Sequence, residues 1–366
     1  MKIKDITAAI EKIVPLKLAQ SWDNVGLLIG SGRQNVDNIL LAIDITKDVV
    51  AEAKKTKADL IISYHPLIWD GLKKITSDDV VYELIRRGIA VFSIHTALDS
   101  VVGGVNDGLA EIVGIENAEP IGDYVDNAAG DNYKLVVFVP FESAEKVSNA
   151  VFAAGAGSIG NYSHCGFRAE GTGSFKPLEG ARPAIGKKGN VEKVKEIRFE
   201  TIVPAEKLNA VITAMKESHP YEMPAFDIIK LYSENKFGLG RIGRLTKPMQ
   251  LNQIIQRIKR HTGAKVAGIV GEKKRLIKTA AVCAGACGKI INLVIAAKCD
   301  LYLTGELKHH QALAAQEAGV TCVCLSHTVS ERFILRKFAR QLRRQIKEVT
   351  ISISKKDKDP FEWKSL

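Results

Sequence analysis

The chain has 366 residues, 46% of them hydrophobic and 25% charged, with a formal net charge of +11. That length allows two domains, and that balance is ordinary for a globular protein with a sizeable core. No uninterrupted apolar stretch is long enough to span a bilayer, and the opening residues MKIKDITAAIEKIVPLKLAQSW lack the apolar core and cleavage site of a signal peptide, so no membrane association and a cytoplasmic location are expected.

The opening stretch predicts an amphipathic helix. From there to about residue 120, strand and helix alternate, as parallel βαβ units do. NILLAIDIT reads as a strand, DVVAEAKKTKA as a helix, and DLIISYHPLI as a strand. DDVVYELIRRG is a helix stopped at Gly88, with Arg86 and Arg87 suited to the negative end of its dipole. AVFSIHTALD is a strand running into a loop, and VNDGLAEIVG is a short helix closed by Gly114.

A different pattern begins near Tyr133. KLVVFVPFESAEKVSNAVFAAGA is strand, proline and helix, and EIRFETIVPAEKLNAVITAMKESHP repeats it. Proline suits the first helical turn because its φ is already set. With the further strand AFDIIKLY, these units predict a ferredoxin-like α+β module of the split βαβ type. The glycine-rich segment GAGSIGNYSHCGFRAEGTGSFKPLEG between them reads as a loop, with structural or subunit-packing roles for His164 and Cys165.

The βα alternation resumes at about Gly238. LNQIIQRIKRHTG is a helix, KVAGIVG a strand, and KTAAVCAGACGKIINLVIAAK strand, glycine-rich turn and helix. CDLYLTGELKHHQALAAQEAG and VTCVCLSHTVSERFILRKFARQLRRQ repeat that form, and EVTISIS is a last strand. The expected fold is α/β: a discontinuous three-layer αβα main domain in segments 1–127 and 237–366, interrupted by the α+β module at 128–236.

Four motifs follow apolar runs: IISYHPL, VFSIHTALD, LYLTGELKHH and VCLSHTVSE. Buried parallel strands read as such runs, and open α/β sheets place ligand chemistry at their carboxyl ends. His65, His95, Asp99, Glu306, His327 and Glu331 are therefore expected to converge at one edge of one sheet. Clustered His, Asp and Glu suit a divalent ion such as zinc, manganese or iron. His327 and Glu331, four apart at a helix start, share one face. The glycines of AGACGK suit either a tight turn or backbone contact with a phosphate.

Six cysteines, without a CxxC pair, read as reduced free thiols. The positive charge suits an anionic partner, either a nucleotide triphosphate or nucleic acid. Much of it lies on the helix from Arg332 to Lys347, whose apolar residues at helical spacing argue for a packed helix with a solvated basic face. No recognised DNA- or RNA-binding motif accompanies it.

Through SWDNVGLLIG, ISYHPLIW, HTALD, AGACG, YLTGELKHHQALAA and LSHTVSERFIL, the chain resembles the dinuclear-metal-centre family of GTP cyclohydrolase I type 2-like proteins, in its long form with a PII/CutA-like insert. That resemblance implies His65, Asp99, His327 and Glu331 as ligands to one or two divalent ions. It implies supporting or acid/base roles for His95, Glu306 and Tyr64. Tyr64 stands where the family has the first histidine of a His-His pair, and a tyrosine hydroxyl is a poor ligand unless ionised. One metal position is then lost or taken up by another group. The reaction implied is hydrolytic opening of the guanine imidazole ring of GTP with release of formate. The assembly implied is a toroidal homohexamer, a trimer of dimers. A non-catalytic metal-binding regulator or metal chaperone, and a nucleic-acid-binding protein, are the alternative readings.

Overall fold

The computed structural model describes residues 1–122, 132–231, 237–273 and 276–364. The chain forms two compact units, one of Met1–Ala128 with Asn235–Leu366 and one of Ala129–Glu234.

In the first unit the chain runs α1 (Ile3–Ile13), β1 (Gly26–Ile29), β2 (Asn38–Ala42), α2 (Lys47–Lys55), β3 (Leu60–Ser63), α3 (Val80–Arg87), β4 (Ala90–Ser93), α4 (His95–Ser100), α5 (Val105–Val113) and β5 (Ile115–Glu119). The second unit holds β6 (Asn132–Pro140), α6 (Ala144–Ala153), β7 (Gly166–Phe175), β8 (Glu192–Pro204), α7 (Leu208–Ser218) and β9 (Phe226–Lys230). The first unit then continues with β10 (Arg241–Gln250), α8 (Leu251–Thr262), β11 (Gly268–Val270), β12 (Leu276–Cys283), α9 (Ile290–Ala296), β13 (Leu301–Thr304), α10 (His309–Glu317), β14 (Thr321–Cys324), α11 (His327–Arg332), α12 (Ile334–Gln345) and β15 (Thr350–Ile353).

The first unit contains two sheets, which corrects the expectation of a single sheet in three layers. One has the order β1-β4-β3-β2-β15, and the other β11-β14-β13-β12-β10-β5. In the first sheet β15, β2, β3 and β4 run parallel, and in the second β12, β13 and β14 do. Alternate positions on these strands divide between separate cores. Leu41, Ile62 and Phe92 of the first sheet share a core with Val282, Leu303 and Val323 of the second. Helices α1, α5, α8 and α12 supply Ile6, Leu109, Ile254 and Phe338 to that same core. Leu40, Ile61 and Val91 face outward onto Val49 of α2 and Leu84 of α3. Ala281, Tyr302 and Cys322 face outward onto Val294 of α9 and Ala315 of α10. Helices cover both faces of both sheets, giving five layers, and burial on two faces is why these strands read as unbroken apolar runs.

The second unit is a four-stranded sheet of order β7-β8-β6-β9, antiparallel at every pairing. Leu135, Val137, Ile197 and Phe199 pack on Val147 and Val151 of α6 and Val211 and Met215 of α7. Much of the glycine-rich segment read as a loop is strand β7, paired with β8 along its whole length. Its glycines carry no strand signal of their own; the ladder to β8 imposes the conformation.

Two further local readings change. HTALD forms a helix, with His95 at its first position. The helix expected from His327 onward breaks at Phe333 into α11 and α12. No described helix is long and apolar enough to cross a membrane.

Candidate metal centre

The carboxyl ends of the two sheets meet around a cavity of about 690 Å³ lined by His65, His95, Asp99, Glu306, His327 and Glu331 among others. The predicted residues therefore share one cavity but come from two sheets. His65 follows β3, and His95 and Asp99 lie on α4 after β4. Glu306 follows β13, and His327 opens α11 after β14.

Within the cavity, His65, His327 and Glu331 each offer one ligand atom, and these atoms lie within 4.8 Å of one another. Glu331 is 3% exposed and stands between the two rings. Its Oε1 is 3.2 Å from His327 Nε2 and its Oε2 is 3.3 Å from His65 Nε2. Oε2 accepts no well-aligned hydrogen bond although it is cut off from water. A buried carboxylate oxygen without a donor is costly, and a divalent ion between it and the two rings would remove that cost. His65 Nδ1 lies 2.9 Å from Asp44 Oδ1, so that Nε2 faces the cluster. That carboxylate–histidine pairing is the usual support of a metal-binding imidazole.

The AGACGK turn completes the cradle. Gly285 has φ +67°, and a Cβ there would lie 2.6 Å from Glu331 Oε1 and 3.3 Å from His327 Nε2. Glycine is needed both for the left-handed backbone and for the close approach. The turn is pinned by Ser330 Oγ, which accepts from Gly285 N at 2.9 Å, and by Asn106 Oδ1, which accepts from Ala284 N at 2.9 Å. Ser326, just before His327, has φ +83° and ψ 156°, a region that side chains strongly disfavour. Its Oγ donates to Asp359 at 2.5 Å, which fixes the start of α11.

The remaining predicted residues surround this cluster. Asp99 does not join it; its carboxylate accepts a hydrogen bond from the fully buried Tyr64 hydroxyl. Burial, with the nearby Glu331 charge, pushes Asp99 up to about 6 against the lowering effect of His95. Burial and the carboxylates of Asp99 and Glu331 push the Tyr64 hydroxyl far above its ordinary range, so it stays a neutral donor. His95 Nδ1 lies 2.9 Å from Asp23 Oδ1, leaving Nε2 for the cavity. The ring of His95 meets Trp22 and Trp69 edge-on at 6.0 and 5.1 Å. Glu306 is more exposed, with Oε1 3.4 Å from His327 Nδ1.

Sequence reading missed Asp44, Asp23, Asn106, Trp22 and Trp69. Asp44 was visible as the acid closing the strand run NILLAID, and Trp22 and Asp23 in SWDN. Their partners lie far away in the chain, so nothing local marked them.

Burial opposes a charge on His65, but the hydrogen bond with Asp44 and the negative charge of nearby Glu331 outweigh it and raise the ring to about 10 from an ordinary value of 6.5. Hydrogen bonding to Glu331 also raises His327, and both rings hold Glu331 below its ordinary value despite burial. In the metal-free protein His65 binds its proton more tightly when folded than when unfolded. Its contribution to stability is complete below about 6.5 and is lost as pH rises through about 10. The melting temperature of protein kept in chelator should fall across that window. The fall should be shallower in His65→Gln; parallel curves would contradict the assignment.

Residues 1–360 match the family model described as Duf34/NIF3 (NGG1p interacting factor 3). The chain belongs to this family. Among similar proteins, one from Mycobacterium tuberculosis is 39% identical over 339 residues, covering 90% of this chain and 88% of the relative. One from Bacillus subtilis is 36% identical over 369 residues, covering 98% of each. Both are called GTP cyclohydrolase 1 type 2 homolog. The crystal structure of a Bacillus cereus protein related to NIF3 is 37% identical with a TM-score of 0.72, and that of a Staphylococcus aureus protein is 28% identical with a TM-score of 0.82. Each covers 99% of both chains.

Proposed function

We propose that the two-sheet unit is a metal-dependent hydrolase acting on a planar heteroaromatic substrate of the guanine-nucleotide kind. The observation that carries this reading is Glu331, buried between His65 and His327 with one oxygen lacking a donor, at the floor of a cavity of about 690 Å³. The relatives named GTP cyclohydrolase 1 type 2 homolog support the substrate class.

His65, His327 and Glu331 would hold a divalent ion such as zinc, manganese or iron. When bound, such an ion acidifies water and polarises a substrate atom. Trp22 and Trp69, 63% and 52% exposed, offer faces against which a flat ring stacks. Lys289 brings a positive charge to the cavity wall, suited to a phosphate chain. His95 holds or releases a proton at Nε2, its other nitrogen fixed by Asp23. Tyr64 keeps Asp99 oriented rather than acting as a ligand, which favours a single ion.

The test is metal content per chain in protein purified without chelators, compared with Tyr64→His. One ion in the wild type and a second in the variant are expected. Formate release from GTP should drop by about 10²–10⁴ in His95→Ala while metal is retained. No metal in either protein would overturn the ligand assignment. Retained metal without turnover of any nucleotide would favour the metal-binding regulator or chaperone.

The nucleic-acid reading rests on α12, part of whose basic face is engaged within the chain. Lys337 pairs with Glu111 at 3.2 Å, and Arg343 donates to Ile351 O at 2.6 Å. The second unit is read as ferredoxin-like because its βαββαβ sequence and strand order follow the split βαβ plan. The toroidal homohexamer, tested by mass in solution, and a cytoplasmic location, consistent with six free cysteines, complete the proposal.

A further inference from the structure

The open face of the four-stranded sheet in the second unit carries a cavity of its own. Val137, Val139, Ile197 and Phe199 point to the helices. Their neighbours Phe138, Glu196 and Arg198 therefore point away, and Ala169 and Gly171 sit opposite Arg198 and Glu196 on β7. A lone two-layer module leaves such a face to water. Here Glu196 is only 9% exposed, because residues 177–185 and 221–225 help to enclose a cavity of about 600 Å³ over it. That volume is in the range of small-molecule sites.

Glu196 is held on one side only. Tyr221 OH donates to its Oε1 at 3.0 Å. Tyr221 is itself fixed, its amide donating to His219 Nδ1 at 3.0 Å while His219 Nε2 donates to Phe138 O at 3.0 Å. No described residue donates to Glu196 Oε2. Arg198, the nearest candidate along the strand, places Nε 2.9 Å from Glu200 instead. The space before Oε2 is kept open by glycine, since a Cβ on Gly173 would lie 2.1 Å from it. Phe138, Phe175, Ile185 and Met223 contribute apolar walls. Oε2 is not sealed from water; it opens onto the cavity, where a charged donor makes the strongest bond to a carboxylate.

We infer that this cavity binds a small, flat aromatic molecule whose N–H donors meet Glu196. The inference stands apart from the metal centre and uses none of its residues.

Benzamidine, an aromatic ring bearing an amidinium, is the probe. Titrated into the full chain by calorimetry, it should bind saturably. Affinity should fall by roughly tenfold or more in Glu196→Gln. It should fall likewise in Gly173→Ala, where the added methyl displaces the carboxylate and leaves the strand paired. Benzoate, the same ring with opposite charge, should bind far more weakly. His65→Ala should leave benzamidine affinity unchanged. Absence of saturable binding, equal affinity in both Glu196→Gln and Gly173→Ala, or equal binding of benzoate would overturn the inference. So would loss of binding in His65→Ala, which would place the probe in the other cavity.

Discussion

Glu331→Gln should strip the cavity of stoichiometric metal while the chain still folds. Glu331 reaches both rings, at 3.2 Å from His327 Nε2 and 3.3 Å from His65 Nε2. The amide has nearly the same size but lacks the negative charge and one acceptor. Loss of a supporting partner lowers metal affinity by about 10–100-fold, so loss of the shared ligand should lower it by about 100-fold or more. Elemental analysis after dialysis against zinc or manganese reads this directly. An independent readout needs no metal: the titration of His65, held at about 10 by Asp44 and Glu331, should move down toward the ordinary range in histidine NMR. Undiminished metal content with an unmoved His65 titration would sink the site.

Arg241→Met should be the most destabilising single change in the first unit. Arg241 lies on β10 and is 1% exposed. It donates to both oxygens of Asp107 at 2.9 Å, to Gly238 O and Gly240 O at 2.8 and 2.7 Å, and to Ser100 O and Val101 O at 3.3 Å each. Ser100 closes α4 and Val101 follows it, so the guanidinium ties α4, with His95 and Asp99, to the second sheet. Removing one member of a buried pair costs about 3–5 kcal/mol. For a unit of this size that is a melting-temperature drop of roughly 6–20 °C. Arg241→Met with Asp107→Leu should recover part of the loss, since the stranded carboxylate is then gone. A single variant melting within about 2 °C of wild type would show that water reaches these groups.

The parts of the molecule that were legible in the sequence are those whose signal is local. The runs LIIS, AVFS, LYLT and TCVC are strands because each is buried on both faces, which leaves no polar alternation to obscure them. Gly88, Gly114 and Gly263 close helices in left-handed conformation, as their positions after apolar-periodic runs implied. Histidines and carboxylates just after strand ends share one cavity, though from two sheets rather than the one expected, because the carboxyl edge of a parallel sheet is open whichever sheet it belongs to. The spacing of His327 and Glu331 put them on one helix face, and they touch the same point.

What periodicity could not reveal is how many sheets those strands form. Two runs of parallel strands carry the same pattern whether they join edge to edge or stand apart with helices between them. Only the shared core of Phe92, Val282, Phe338 and their neighbours decides for two sheets. β7 was hidden for the opposite reason: its glycines lack strand propensity, and the ladder to β8 overrides that lack.

By itself, then, the sequence determined most of the element types, the family, and which histidines and acids sit at strand ends, since these follow from spacing and side-chain chemistry along the chain. Tertiary structure decided which of them converge. It brought Asp44 to His65 and Asp23 to His95, tied Asp99 to Tyr64, and set Gly285 against Glu331. The reason is physical: these contacts join the ends of separate strands and sheets, and distances across a packed core are fixed by layer geometry rather than by any local preference of the residues that meet there.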